Sequence, residues 1–520
     1  MVAGRGCRIA VLVMTLACVA AAVRAESVPT PSTCLGTVSA DDHVIEEIVF
    51  PDPEQRSGPA LNGMSTLFFL DDDLAWKRTP LVERLEQGGV RALRFPGGEV
   101  ADNYVWVDNS VEEAGLWPGA AATPEARDDR TDFREFLRYA EQLGARELFF
   151  VVNVDGIFRS TDERSAALER YARSAAAWVA AVNAAGPRVG YWEIGNEPYL
   201  VNYPLTVKEY AQVLKVFAAE MRSVDPSIRI GAAGPMHIHS VGFADQIDGL
   251  ALAESRLAPG GVRRLCRGLG RAACAKRLLN GRPQPADVPR WWPTLLSEAG
   301  DAFDFAVVHS YALSNVAGGS TPEKFRLTER IKKLKKLLKD AKGYAVPVAL
   351  TEWNTPNFEG PPADEIEHLM EVTIQLGGFA VAGLDHALYW PMRSPGGHFP
   401  AAYDDAGEPT VVGKLLEEIH ELINEVEAAQ TVVRGTVYAY MARAAGGRGT
   451  VLVNRGMDAV TVPLSAIEVP SGSLVRFLSD SDGRAVLAER CEFGAAGGRG
   501  DLITLPPRSI AVVRSRVGTE

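Results

Sequence analysis

Tyr191-Trp192-Glu193-Ile194-Gly195-Asn196-Glu197-Pro198 is an apolar run that breaks at a glycine and presents an amide and a carboxylate side by side before a proline. A short apolar run closed by Gly-Asn and Pro reads as a buried strand meeting a turn. A second segment has the same form. Val348-Ala349-Leu350-Thr351-Glu352-Trp353-Asn354 again carries a short apolar run up to a carboxylate. Between and around these two, short apolar runs alternate with long amphipathic segments, the rhythm of βα units that build a parallel sheet.

The runs place strands near 60–69, 90–95, 147–154, 189–195, 228–233, 304–309, 347–352 and 386–391. Eight strands close a (β/α)8 TIM barrel. Helices are expected near 78–88, 131–144, 160–184, 206–224, 321–341 and 363–382, and at 413–427 after the last strand. Thr206-Val207-Lys208-Glu209 opens one of them with a capping box, Thr followed three residues later by Glu. Two connections are long: 97–130, with Trp106 and Trp117, and 236–303, with Trp291-Trp292-Pro293. Long loops after barrel strands commonly build a substrate cleft.

Beyond about residue 428 the texture changes to short strands with Gly-rich turns, among them Val432–Tyr440, Gly449–Asn454, Ala459–Leu464 and Ile510–Val513. This predicts a C-terminal antiparallel β-sandwich over 428–520, following a barrel over 58–427. Residues 26–57 form an N-terminal arm whose Val44–Phe50 alternation suits an edge strand that pairs with the sandwich. Ahead of it, Arg5 and Arg8, the apolar stretch Ile9–Val23 and Val23-Arg24-Ala25 form a secretory signal pattern with cleavage expected after Ala25. The expected location is therefore secreted or periplasmic. No later apolar stretch is long enough for a membrane span.

Removal of that leader leaves Cys34, Cys266, Cys274 and Cys491, an even number in an oxidising compartment. Cys266 with Cys274 would close a local loop, and Cys34 with Cys491 would tie the arm to the C-terminal domain; the alternatives are the other pairings or four free thiols. The net charge of −12 over 520 residues argues against nucleic acid as a partner and suits a protein that handles neutral polymers. The Lys332–Lys339 run, at helical spacing, reads as the solvated face of an outer helix. Gly97-Gly98 lacks a dinucleotide fingerprint and no His/Asp/Glu cluster has metal spacing, so no cofactor and no metal are expected.

Cleaving a glycosidic bond takes one carboxylic acid to protonate the leaving oxygen and a second carboxylate near the anomeric carbon. Glu197 ends strand four and Glu352 ends strand seven, so an eight-strand barrel brings both to its C-terminal face. Gly195-Asn196-Glu197, Leu93-Arg94-Phe95-Pro96-Gly97-Gly98 and Thr351-Glu352-Trp353-Asn354 resemble the corresponding segments of the large (β/α)8 clan of retaining glycoside hydrolases, most of all the family 51 α-L-arabinofuranosidases. The resemblance implies Glu197 as acid/base, with a raised pKa, and Glu352 as an ionised nucleophile.

It also implies an oligosaccharide or polysaccharide substrate. Asn196 would then bond the sugar hydroxyl next to the anomeric carbon, and Arg94 would stand against the nucleophile. His309 and Tyr311, in a His-x-Tyr element on strand six, would orient substrate and donate to Glu352. Trp390 would floor the first sugar subsite. Glu99 departs from the family pattern, which has Asn after Gly-Gly. Related families with this layout include β-xylosidases, β-glucuronidases with heparanases, and endo-acting glycanases. A non-catalytic carbohydrate-binding barrel is the reading from a different class.

Overall fold

Eight parallel strands close on themselves: β1 (Ala60–Ser65), β2 (Ala92–Phe95), β3 (Glu147–Val152), β4 (Tyr191–Ile194), β5 (Arg229–Ala233), β6 (Phe305–Tyr311), β7 (Val348–Asn354) and β8 (His386–Tyr389). Each pairs with its neighbours in chain order, and β8 returns to β1. The computed structural model describes residues 60–69, 76, 79–112, 130–199, 205–236, 290–311, 327–355, 365–393, 399–444, 447–463, 474–481, 484–492 and 502–514. The expected leader, the N-terminal arm with its edge strand, Trp117, Cys34, Cys266 and Cys274 lie outside the described residues.

Among the described residues a main helix follows each strand: α1 (Leu81–Gln87), α2 (Phe133–Leu143), α3 (Arg164–Ala185), α4 (Val207–Val224), α5 (Trp291–Ala299), α6 (Leu327–Lys342), α7 (Glu365–Ala382) and α8 (Val411–Ile423), and a one-turn helix, Gly156–Arg159, precedes α3. The capping box expected at Thr206 is formed: its side chain accepts from the Glu209 N–H while Glu209 reaches back. Helix α4 buries Tyr210, whose hydroxyl donates to the Ile194 carbonyl and accepts from the Ala233 N–H, both at 2.8 Å. That one side chain ties the ends of β4 and β5 to the helix behind them.

Of the second long connection, residues 237–289 lie outside the described residues, and its two tryptophans are placed in the core. Trp291 and Trp292 begin α5 and are fully buried, their indole N–H groups donating to the carbonyls of Ala233 and Pro235. An indole removed from water with its N–H bonded is core packing, so this pair supports β5 instead of facing a ligand. Inside the barrel, Phe149, Tyr191, Phe305 and His386 meet edge-to-face or stacked across strands that are not all neighbours. They fill its lower half.

After α8 ends at Ile423, the chain enters sheet structure at β9 (Val426–Arg434) and continues through β10 (Val437–Ala444), β11 (Gly447–Asn454), β12 (Val460–Pro463), β13 (Leu474–Ser481), β14 (Arg484–Glu492, which carries Cys491), β15 (Leu502–Leu505) and β16 (Ser509–Arg514). Six strands form an antiparallel sheet in the order β9-β10-β11-β16-β13-β14, and β12 pairs with β15. The run Val432–Tyr440 is two strands, because Gly435 at φ 57 turns a tight hairpin there.

Alternate residues of β10 divide the labour. Val437, Ala439 and Met441 pack with β12 and β15 in a second core, whereas Tyr438, Tyr440 and Ala442 join the barrel's core. The Tyr440 hydroxyl donates to the Leu422 carbonyl at 2.6 Å in this buried seam. Tyr440→Phe leaves that carbonyl without the donor and is expected to cost about 1–3 kcal/mol, read as a lower urea midpoint at unchanged slope.

Candidate active site

Arg94, at the upper end of β2, is fully buried and its guanidinium serves four side chains at once, the weakest contact being Nη1 to Ser65 Oγ at 3.4 Å. Nε and Nη2 hold both carboxylate oxygens of Glu193 at 2.9–3.1 Å, Nη1 donates to Glu352 Oε1 at 2.6 Å, and Nη2 also donates to Asn196 Oδ1 at 2.8 Å. A guanidinium has donors only, so Asn196 must present its oxygen to Arg94 and its NH2 elsewhere. Burial pushes the Glu193 carboxyl above its ordinary value, against the pull of Arg94.

The turn after β4 is set by backbone geometry. Gly195 takes φ 74 and Glu197 takes φ 43, so the chain reverses within three residues. Asp102, from the 3-10 turn Glu99–Asn103 that follows β2, accepts the Asn196 N–H with both oxygens at 2.9 and 3.1 Å. A side chain at Gly195 would crowd that carboxylate.

Burial, and then the neighbouring Asp155, push the Asp102 carboxyl well above the ordinary carboxylate range, against the pull of the Asn196 N–H. The sign follows from linkage. Stability contributed by the neutral form is complete below the unfolded value near 4 and is lost as pH rises through the raised folded value. Asp102→Asn, neutral at every pH and still an acceptor, is therefore expected to match or exceed the parent near pH 8 and to lose that dependence. Asp102→Ala is expected to lose about 1–3 kcal/mol, and thermal melts across pH check both.

Strand β7 carries the other half of the site and is irregular there. Its pairing with β6 steps from Val308↔Leu350 to His309↔Glu352, and its pairing with β8 steps from Ala387↔Leu350 to Tyr389↔Trp353. One extra residue sits in β7, a bulge. A bulge breaks the period of two, so Thr351 and Glu352 both turn into the barrel: Thr351 Oγ1 lies 3.1 Å from His309 Nε2 and 3.5 Å from Glu193 Oε2, while Glu352 meets Arg94.

His309 Nδ1 lies 3.4 Å from Glu197 Oε1 and 3.5 Å from Glu352 Oε2. Since one atom touches both, those oxygens are less than about 7 Å apart, which admits the roughly 5–5.5 Å of a retaining pair and leaves out most of the inverting range of about 6.5–9.5 Å. Burial pulls the imidazole's pKa down, but the Glu352 and Glu197 carboxylates outweigh it and the net shift is upward. The Tyr311 hydroxyl donates to Glu352 Oε2 at 2.5 Å. Enclosure and the same two carboxylates drive the Tyr311 pKa well above its usual value, so it stays a phenol and a donor.

Six of the residues singled out from sequence thus stand together: Glu197, Glu352, Asn196, Arg94, His309 and Tyr311. Trp390 lies over the glycine turn after β2. A Cβ at Gly98 would come within 2.7 Å of its ring, and one at Gly97, φ 78, would strike the Thr66 carbonyl at 1.8 Å. Glu99 is exposed where the 3-10 turn starts. Trp106, half-buried, donates to Ser174 on α3 at 3.1 Å.

Glu193, Thr351 and Asp102 are the members that the sequence reading passed over. A glutamate inside an otherwise apolar strand was a signal for the first. Among the described residues no group of three or more His, Cys, Asp or Glu is placed to hold a metal ion, and no helix is long and apolar enough to cross a membrane.

No family model matches the chain. A curated relative, a probable α-L-arabinofuranosidase C from Aspergillus fumigatus, is 26% identical over 170 residues, which are 30% of this chain and 32% of that protein's length. The match thus spans about a third of the relative. A solved GH51 arabinofuranosidase from Xanthomonas axonopodis pv. citri superposes with a TM-score of 0.61 at 14% identity, covering 89% of this chain and 98% of that one. A bifunctional glucanase-xylanase from a metagenome library superposes with a TM-score of 0.56 at 15% identity, over 89% of this chain and 97% of its own. At such identities the likeness is one of fold, and it extends over barrel and β-domain together.

Proposed function

We propose that this chain is a retaining glycoside hydrolase working by double displacement, with Glu197 as acid/base, Glu352 as nucleophile and an α-L-arabinofuranoside as substrate. The observation that carries this is the approach of Glu197 and Glu352 to one imidazole nitrogen at the C-terminal mouth of the barrel.

The two carboxyl groups have different surroundings, as their roles require. Glu352 is nearly buried and takes one hydrogen bond from Arg94 and one from Tyr311, so its negative charge is matched and its oxygens are held in place to attack. Glu197 is more exposed, at 18%, and Tyr199 Oη and His309 Nδ1 each stand 3.4 Å from its Oε1. As acid/base it would give a proton to the departing oxygen and take one back from the water that ends the cycle. Asn196, its oxygen committed to Arg94, has an NH2 left to donate to a sugar hydroxyl.

The arabinofuranoside reading is supported by the names of the Aspergillus relative and the Xanthomonas structure. Glucans and xylans are the competing class, as the metagenome enzyme shares the fold. The Arg5–Ala25 leader pattern supports action outside the cytoplasm.

The test is a panel of aryl glycosides (α-L-arabinofuranoside, β-xyloside, β-glucoside, β-glucuronide), with the first-formed anomer read by proton NMR. Release from the arabinofuranoside with retained configuration is the expected result. Release of another sugar would move the substrate while keeping the mechanism; an inverted first product would overturn the mechanism.

A further inference from the structure

Behind the two carboxylates runs a second line of contacts that the proposed reaction does not use directly. Glu193 Oε2 lies 3.5 Å from Thr351 Oγ1, which lies 3.1 Å from His309 Nε2, and the other ring nitrogen stands 3.4 Å from Glu197 Oε1 and 3.5 Å from Glu352 Oε2, within ion-pair reach of both and aligned for a hydrogen bond with neither. Glu193, Thr351 and His309 are all buried.

Donor and acceptor rules give this line a direction. Both oxygens of Glu193 already face N–H groups of Arg94, so the carboxylate can only accept from Thr351. Thr351 has a single hydroxyl proton. Given to Glu193, it leaves the oxygen lone pair toward His309, and Nε2 must then carry a hydrogen. The reverse arrangement would set the Thr351 lone pair against a carboxylate oxygen in a dry site, which is costly.

We infer that Glu193 and Thr351 are positioning residues that lock the proton of His309 on Nε2, so that Nδ1 is the nitrogen that gains and loses a proton, shared with Glu197. The inference rests on the glycosidase reading for its catalytic consequence and on geometry alone for the tautomer. When Nδ1 is protonated, Glu197 is a carboxylate; when the proton crosses to Glu197 Oε1, the ring becomes neutral with its Nδ1 lone pair facing the acid. One proton moves between two atoms, and charge balances. His309 thereby shares the one proton that Glu197 gives to the leaving oxygen and recovers from the water that ends the cycle.

Among the described residues, the titratable and polar groups around His309 are Thr351 and Glu352 from β7, Glu197 from the turn after β4, Glu193 within β4, Arg94 from β2 and Tyr311 on its own strand; the β5 residues paired with β6, Gly231, Ala232 and Ala233, carry no titratable side chain. The net upward shift of the imidazole fits a nitrogen set between two carboxylates. The β7 bulge makes the arrangement reachable, since without it Thr351 and Glu352 would point to opposite faces of the strand.

The experiment takes the full chain labelled with 15N-histidine, as wild type, Thr351→Val and Thr351→Ser, with Asn in place of His309 to assign its signal. Wild type and Thr351→Ser should show the Nε2–H form when neutral. In Thr351→Val, Nε2 loses its acceptor, the neutral ring redistributes toward Nδ1–H, and the imidazolium is less well held. Aryl-glycoside kcat/KM should accordingly lose its basic limb at lower pH, with activity falling about tenfold near pH 8 and much less near pH 5.

The Nδ1–H form in wild type, or a Thr351→Val spectrum and pH profile like those of wild type, overturns the inference. If no glycoside is cleaved by wild type but the tautomer shifts with Thr351, the lock stands and the glycosidase reading fails. Cleavage with an unmoved tautomer sinks the lock alone. Thr351→Ser separates loss of the hydroxyl from loss of fold.

Discussion

Glu352→Gly is expected to lower hydrolysis of an activated aryl glycoside by on the order of 10^5-fold, and sodium azide is expected to restore turnover with a glycosyl azide inverted relative to the substrate. The size follows from the role: without the carboxylate no covalent intermediate forms, and binding alone remains. Azide fits the space that the side chain leaves and attacks from the same face, so one displacement replaces two. The protein should still fold, because Arg94 keeps both oxygens of Glu193 as its counterion. Glu197→Ala would behave differently, keeping its first step with a good leaving group and yielding an azide product of retained configuration. A Glu352→Gly protein that is folded and keeps a tenth of the parent's activity would remove Glu352 from the mechanism.

Arg94→Met is the second large effect, and here stability and activity should separate. The substitution leaves the carboxylates of Glu193 and Glu352 in the barrel without their cation, and breaking a buried pair from one side costs about 3–5 kcal/mol. Activity should fall with it, since Glu352 loses its anchor. Adding Glu193→Gln to Arg94→Met removes one unpaired charge and should recover about half of the lost stability, yet little of the activity. Denaturant midpoints and kcat across the four proteins of this cycle check it. If the double variant is no more stable than Arg94→Met, Glu193 is not ionised against Arg94 as described.

Most of the barrel was legible because its signal is local. Strand and helix runs such as 147–154 and 206–224 carry their own periodicity and caps, and the observed Glu147–Val152 and Val207–Val224 fall within them. Glu197, Glu352 and Arg94 could be singled out because a charge that closes an apolar run is visible in one dimension. What escaped was made by tertiary structure. Thr351 reads as the outward partner of Glu352 under a period of two, and only the extra residue in β7 turns it inward. Asp102 sits in an irregular turn with nothing in its neighbours to announce the Asn196 N–H it accepts. Trp291 and Trp292 look like cleft aromatics until a helix forms around them and buries both.

Helix α7 bears on how this polypeptide comes into being. Nearly all of it is buried, polar residues included: Glu371 meets Arg455, Gln375 meets Thr355, and the carbonyl of Ile374 accepts from Tyr438. A helix apolar all round needs cover on every side. Part of that cover is β10 and β11, which a ribosome delivers after the entire barrel has been made. The helix behind the strand of Glu352 therefore gains its full cover only after the barrel has been made, and a gene truncated after Ile423 would encode a barrel with an oily flank instead of a smaller enzyme.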